Sequence, residues 1–520
     1  MYKLTDNFTP KTWFSKLFGF EEENYNFTQL NFNLISQVIP SGKNLLVLKS
    51  KVNKREFPIG NFNTPSLEDL RNDVLINYLP TCKSIVEHIV VDDILQLHGL
   101  PENAGAMFQV ASQFNCLEFI SPEVKPEDGI VMYQWDSTQG PACSIACASA
   151  TIYRNYLVTI FDKYNKIRYG QTNDRQINNL EDVLKILESD YITVTNGYTF
   201  SSEQKLLLLN NKLKNDFNLR ENIIKNMRIG VHNNIGVTFD KLDRKPYPQN
   251  ASFIEHKNGQ LVSQAFCSAI SVAYSGLSKD LWEPFSILIL KGSYEATLWS
   301  AIINSKTGGS NKVLLTMVGG GAYGNDTKWI LDAIANAVVA TSDYGLNIKV
   351  CHYKSINNND KDYLHKKILE LTIFRYNLMN EINELIFNNI NLTDSRWNKF
   401  LSRRGNFIAK FTLQFIINSL NEKGQTLLYI AARKCNKVMV EILLENGAII
   451  NAYNKDGSTP LMGLVWGFIV AKRENLMSIS TSTITKTKVI QLYEYMKSKG
   501  ANDDLPNLRG ETSKLFYQEI

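Results

Sequence analysis

No apolar run in this chain reaches the roughly 18–20 residues that a bilayer-spanning helix needs. Its opening residues, Met1-Tyr2-Lys3-Leu4-Thr5-Asp6, lack the apolar stretch of a secretory signal. A cytoplasmic protein, neither Sec-exported nor membrane-spanning, is therefore expected. A basic run is missing as well: the net charge is only +5, with Lys and Arg spread along the chain, so nucleic acid is not an expected partner. Cysteine is sparse, with seven in 520 residues, and mostly set in apolar segments, which reads as reduced, buried thiols. The one close pair, Cys143 and Cys147, lies on a small-residue helix with no histidine nearby, so no metal site and no cofactor are expected.

With 44% hydrophobic and 21% charged residues, 520 residues predict a folded protein of two or three domains. The richest segment is a strand-like run, Val313-Leu314-Leu315-Thr316-Met317-Val318, that enters Gly319-Gly320-Gly321-Ala322-Tyr323-Gly324-Asn325 and then a helical pattern from Trp329. A strand ending in glycines at a helix start aims backbone N–H groups at one point, where the helix dipole also favours an anion. The spacing Gly319-x-Gly321-x-x-Gly324 fits a dinucleotide fingerprint, but the next strand candidate, Leu346 to Tyr353, ends in no acidic residue for a ribose. The loop thus closes a domain instead of opening one. A plain strand-to-helix turn is the competing reading.

From about residue 80 to 355 helical and strand-like stretches alternate, with apolar runs such as Phe285-Ser286-Ile287-Leu288-Ile289-Leu290, the pattern of an α/β domain. Residues 1–60 show no clean period and look folded, with an open role. The C-terminal fifth repeats itself: Gly424-Gln425-Thr426-Leu427-Leu428 and Gly457-Ser458-Thr459-Pro460-Leu461 start 33 residues apart, and Arg509-Gly510-Glu511-Thr512 begins a third unit. This resembles the ankyrin repeat, which buries its helices only by stacking on neighbours. Some twenty extra residues, including Ser478-Ile479-Ser480-Thr481-Ser482-Thr483, are expected to form a loop or helix extension in the second unit. The repeats are expected to lean on the helical segment before them.

Between Asn103 and Tyr156 the chain is dense in features that a packed core does not need. Glu118, Asp128 and Asp136, ten and eight residues apart in an otherwise apolar stretch, converge only if the chain folds back. Taken singly, Asp128 before Gly129 suits a turn and Asp136 suits a helix cap. Gln139-Gly140-Pro141 is a good helix start for the small residues running from Ala142 to Ala150.

The loop Val318 to Asn325 resembles the second phosphate loop of macrodomains, which bind ADP-ribose. Gln113-Phe114-Asn115-Cys116-Leu117-Glu118-Phe119-Ile120-Ser121-Pro122-Glu123 resembles the signature of poly(ADP-ribose) glycohydrolases, with Phe114 and Asn115 where that family has two glutamates. Thr138-Gln139-Gly140-Pro141-Ala142 and Ile152-Tyr153-Arg154-Asn155-Tyr156 are similar to a divergent branch that includes bacterial effectors. The resemblance implies an α/β macrodomain-like three-layer domain, a mixed sheet flanked by helices, over residues 61–355. An all-α linker (356–420) and an ankyrin-repeat domain (421–520) would follow. It implies hydrolysis of ADP-ribose from a modified protein, with arginine-linked ubiquitin as the branch's substrate, in a host cytosol. On this reading Gly319, Gly320, Gly321 and Gly324 hold the diphosphate with Tyr323 and Asn325 beside it. Gln113, Asn115 and Gln139 also bind the ligand, and Asn103 contacts the distal ribose. Asp128 or Asp136 orients water or protonates the leaving group, and Glu118 takes the acid role vacated at Phe114 and Asn115. The alternatives left open are an ADP-ribose reader without turnover and an effector acting mainly through ankyrin contacts with a protein partner.

Overall fold

The computed structural model describes residues 12–38, 44–162, 164–188, 190–243, 252–387, 413–473, 484–518 and 520. The run at 478–483 and much of the expected linker lie outside the described residues. The chain divides into two compact units, one of residues 1–68, 85–334 and 346–362, the other of residues 69–84, 335–345 and 363–520.

The first unit is built on a seven-stranded mixed sheet. Its strands are β1 (Asn61–Asn63), β2 (Ile85–Val91), β3 (Met107–Ala111), β4 (Gly230–Gly236), β5 (Leu261–Cys267), β6 (Lys312–Leu315) and β7 (Asn347–Tyr353), in the order β1-β4-β5-β3-β6-β7-β2. From β5 to β2 every pairing is parallel, whereas β4 runs antiparallel to both β5 and β1. Strand periodicity sends alternate residues to opposite faces. On one face Phe108, Val110, Phe266 and Leu314 join a core with α1 (Trp13–Phe18) and α2 (Gln139–Ala146). On the other, Gln109 donates to Thr297 and Ser263 to Asn304, both on α3 (Lys279–Lys306).

Phe285 to Leu290 lies inside α3, a run whose apolar character by itself fits a buried strand or a buried helix. One local expectation changes. The small-residue helix is broken at Cys147 into α2 and Ala148–Ile152. Thr238 enters the break, its N–H donating to the Ala146 carbonyl (2.7 Å) and its hydroxyl accepting from the Ala148 N–H (3.0 Å). The N-terminal residues belong to the same unit as the sheet: Trp13, Phe14, Leu17, Phe18 and Phe20 are all buried in its core.

Two histidines are sealed in this core. His98 stacks on Phe108 with ring centroids 3.8 Å apart and bonds to the Ile94 carbonyl, and burial pushes its pKa down to about 4. Burial also holds His232 well below its ordinary value. A folded pKa below the unfolded one means that the unfolded chain takes up the proton first, so stability present above pH 6.5 is lost as pH falls. His98 alone is expected to cost about 2 kcal/mol at pH 5 relative to pH 7. Urea unfolding at the two values checks this, and His98→Gln should flatten the difference.

The second unit shows the repeat atom for atom. Asn421, Asn454 and Asn507 each accept, through Oδ1, the N–H of the residue four further on, at 2.9, 2.7 and 3.0 Å. The glycines three residues on, Gly424, Gly457 and Gly510, have φ of 71°, 78° and 77°, a left-handed turn that glycine adopts without strain. Thr426, Thr459 and Thr512 then each accept a backbone N–H three residues on, at the start of a helix.

Candidate functional site

The parallel strands β5, β3 and β6 end side by side at Cys267, Ala111 and Leu315, and the segments that follow enclose a cleft of about 440 Å³. Crevices beyond the carboxyl ends of such strands are where open α/β sheets bind ligands. Gln139 ties the start of α2 to the end of β3, accepting from the Ala111 N–H and donating to the Gln109 carbonyl, both at 2.8 Å. The helix lies so close that a Cβ at Gly140 would sit 2.0 Å from the Ala111 oxygen, which accounts for the small residue there.

One wall is the glycine loop. Gly319 has φ +78°, and a Cβ on it would lie 2.4 Å from the Ala269 Cβ. Asn325 staples the loop, its side chain donating to the Ile270 carbonyl (2.7 Å) and its backbone to that of Gly319 (2.9 Å). From α3, Tyr294 donates to the Thr316 carbonyl (2.6 Å) and accepts from the Val318 N–H (2.8 Å), which holds the strand end open. The N–H groups of Gly321, Ala322 and Tyr323 have no acceptor among the described residues. A loop fixed in this way with amides to spare has the chemistry to accept an anion. Among the described residues no Lys, Arg or His lines the cleft, so the backbone dipoles of the loop are what it offers an anion.

The opposite wall carries the acids. Glu118 is buried yet lines the cleft; its Oε2 accepts from the Ser144 hydroxyl (2.6 Å), while Oε1 has no hydrogen-bond partner. Burial pushes this carboxyl up to about 7, against the lowering pull of Arg154, whose Nη2 lies 3.8 Å from Oε1. Arg154 is itself fully buried, over the Phe266 ring at 3.7 Å and bonded to Ser144 and the Cys116 carbonyl. Asp136 lines the same cleft and accepts from the Thr138 N–H and hydroxyl (2.8 and 2.6 Å).

A single 3-10 turn, Val131–Trp135, serves both acids. Its Tyr133 hydroxyl accepts the Glu118 N–H (2.8 Å), and its end presents Trp135 and Asp136. The turn hangs on the N-terminal segment: Glu22 accepts the N–H groups of Ile130 and Val131 (2.9 and 2.7 Å), and Trp13 donates to the Val131 carbonyl (3.1 Å). Tyr198, Tyr274 and Tyr323 make an aromatic corner with ring centroids 5.0–5.6 Å apart.

Of the residues singled out in the sequence, Glu118, Asp136, Gln113, Gln139, Gly319, Gly321 and Tyr323 line this cleft together. Gln113 also clamps its own loop, bonding the N–H and carbonyl of Phe119. Gly320, Gly324 and Asn325 shape the glycine loop from behind. Three expectations are corrected. Asn103 bonds to the Leu97 carbonyl and Lys312, at the amino ends of the strands, far along the sheet from the cleft. Asp128 is exposed and closes its own turn onto the Lys125 N–H. Asn115 is buried, its side chain accepting from the Leu117 N–H and donating to Gln176, and it does not line the cleft. Glu22, Tyr133, Trp135, Tyr198, Tyr274 and Tyr294 carried no local signal, since each reaches the site from a distant segment.

A comparison with family profiles matches residues 400–467 to "Ankyrin repeats (3 copies)". The C-terminal unit carries ankyrin repeats. No curated protein matches the chain in sequence. Among solved structures it is similar to poly(ADP-ribose) glycohydrolase from Deinococcus radiodurans in complex with ADP-ribose, at 9% identity and TM-score 0.31, over 60% of this chain and 95% of that one. A mutant of the same enzyme with ADP-ribose shows 11% identity and TM-score 0.31, over 60% and 94%. The enzyme from Thermomonospora curvata shows 11% and 0.30, over 64% and 93%. TM-scores this low transfer neither a site nor a reaction.

Proposed function

We propose that this cleft binds ADP-ribose and hydrolyses its bond to a modified protein. The observation that carries the reading is the pairing of two features in one cleft: Glu118, a buried carboxyl among its lining residues, and a row of unengaged amides in the glycine loop. Cleavage at the anomeric carbon passes through an oxocarbenium-like state and needs an acid on the leaving group and a base on water. Glu118, raised to about 7, is protonated in a large share of molecules near neutrality and so can donate to the leaving nitrogen or oxygen. Asp136 orients the water, whose oxygen bonds to the anomeric carbon while its proton passes to the carboxylate. The amides of Gly321, Ala322 and Tyr323 hold the diphosphate. An arginine-linked acceptor, such as modified ubiquitin, is the substrate we favour, with the ankyrin repeats selecting a protein partner in the cytosol.

A second reading, binding without turnover, is favoured by Phe114 and Asn115 standing where the resembling enzymes have glutamates. Calorimetric titration of ADP-ribose, paired with release from arginine-ADP-ribosylated ubiquitin, separates the two. Binding with release supports the hydrolase, binding alone the reader, and no heat of binding removes both.

A further inference from the structure

A small hairpin of the first unit, Thr159–Phe161 paired with Ile167–Tyr169, lines no part of the cleft. Its register sets Phe161 opposite Ile167 and Thr159 opposite Tyr169, so these four share one face, while Ile160 points the other way and is buried. That shared face is bare: Phe161, Ile167 and Tyr169 are 60%, 57% and 60% exposed, and Tyr164 at the turn is 70% exposed. Beside it Gln29 donates to the Tyr169 carbonyl, and its neighbour Leu30 is 69% exposed. Two-stranded hairpins are marginal in water, and a contiguous apolar patch on one marks a contact surface.

Lysines stand at the edge of the patch, and the hairpin's own acid is paired with Arg168. Asp162 is turned inward on its own hairpin, accepting from the N–H groups of Tyr164 and Lys166 and from Arg168, all at 2.9 Å. Lys166 is exposed with no acidic partner among the described residues, Lys51 donates to the Leu30 carbonyl, and Lys54 stands next to Lys51. Exposed phenylalanine, isoleucine and amphipathic tyrosines with exposed lysines at the margin match the boundary between acyl chains and anionic headgroups.

We propose that this hairpin seats the protein on an anionic lipid surface, inserting Phe161, Ile167 and Tyr169 and placing Lys166, Lys51 and Lys54 against lipid phosphates. The full chain is tested by co-sedimentation with vesicles of phosphatidylcholine alone and with about one-third phosphatidylserine. Pelleting with the anionic vesicles only is expected, weakened by salt. The triple variant Phe161→Ser, Ile167→Ser, Tyr169→Ser and the single Lys166→Glu should each reduce it about tenfold or more at an unchanged melting temperature. The lysine variant is fully exposed and keeps the test valid should the triple one unfold. Absence of pelleting, equal pelleting with both vesicles, or variants that pellet like the wild type overturn the proposal. So does a concentration-dependent dimer that the triple variant dissolves, which would assign the face to a second copy.

Discussion

Glu118→Gln is expected to lower release of ADP-ribose from a modified protein by about 10²- to 10⁴-fold while leaving ADP-ribose bound. The amide keeps the shape and can still accept from Ser144, but it has no proton to give the leaving group. It also takes from the buried Arg154 the carboxylate 3.8 Å away, which destabilises the fold wherever Glu118 is ionised. Melting temperature must therefore be read beside single-turnover rate and ADP-ribose affinity. The wild-type rate should fall as pH rises through about 7, where the carboxyl loses its proton, and this limb should vanish in the variant. A variant that turns over like the wild type would remove Glu118 from the chemistry.

The other large effect is expected at Gly319→Val. A side chain there meets the Ala269 Cβ at 2.4 Å on a backbone with φ +78°, so the loop must shift. Strain of this kind costs about 1–3 kcal/mol, enough to weaken ADP-ribose binding by up to roughly a hundredfold. Gly321→Ala provides the contrast, because its Cβ meets nothing within 4 Å. That substitution should leave the melting temperature unchanged, so any affinity it loses reports a ligand lying against the loop. Calorimetry on both variants reads the difference, and wild-type affinity in Gly319→Val would mean the loop does not hold the ligand.

The glycine loop was legible because its signal is local: strand, glycines and helix follow one another within a few residues. Even so, the strand ends at Leu315 and not at Val318, because the backbone of Thr316 and Val318 bonds to the side chains of Gln109 and Tyr294 instead of a neighbouring strand. The ankyrin glycines were legible for the same reason, each turn carrying its own Asn, Gly and Thr. Asp128 and Asp136 could not be separated in sequence, since each is a turn acid; only the direction of the 3-10 turn between them sends one into the cleft and the other to the surface. Asn103 was misplaced because a residue before a strand and one after it look alike until the sheet shows which end is open. Tyr198 and Tyr274 arrive from segments far along the chain, and no period links them to Tyr323.

Glu22 and the amides it holds are 108 and 109 residues apart in sequence. During synthesis the segment around Trp13 emerges long before Ile130 and Val131 exist, so its aromatic residues must wait, exposed, for the wall they brace. The entropy of closing so long a loop grows only slowly with length, yet contacts of this range form late. The acid-bearing wall thus cannot set before residues 130 and 131 have emerged. A nascent chain stalled before residue 130 would have the beginnings of a core but no cleft, and a protease reaching the waiting segment would remove the site without touching a single residue that lines it.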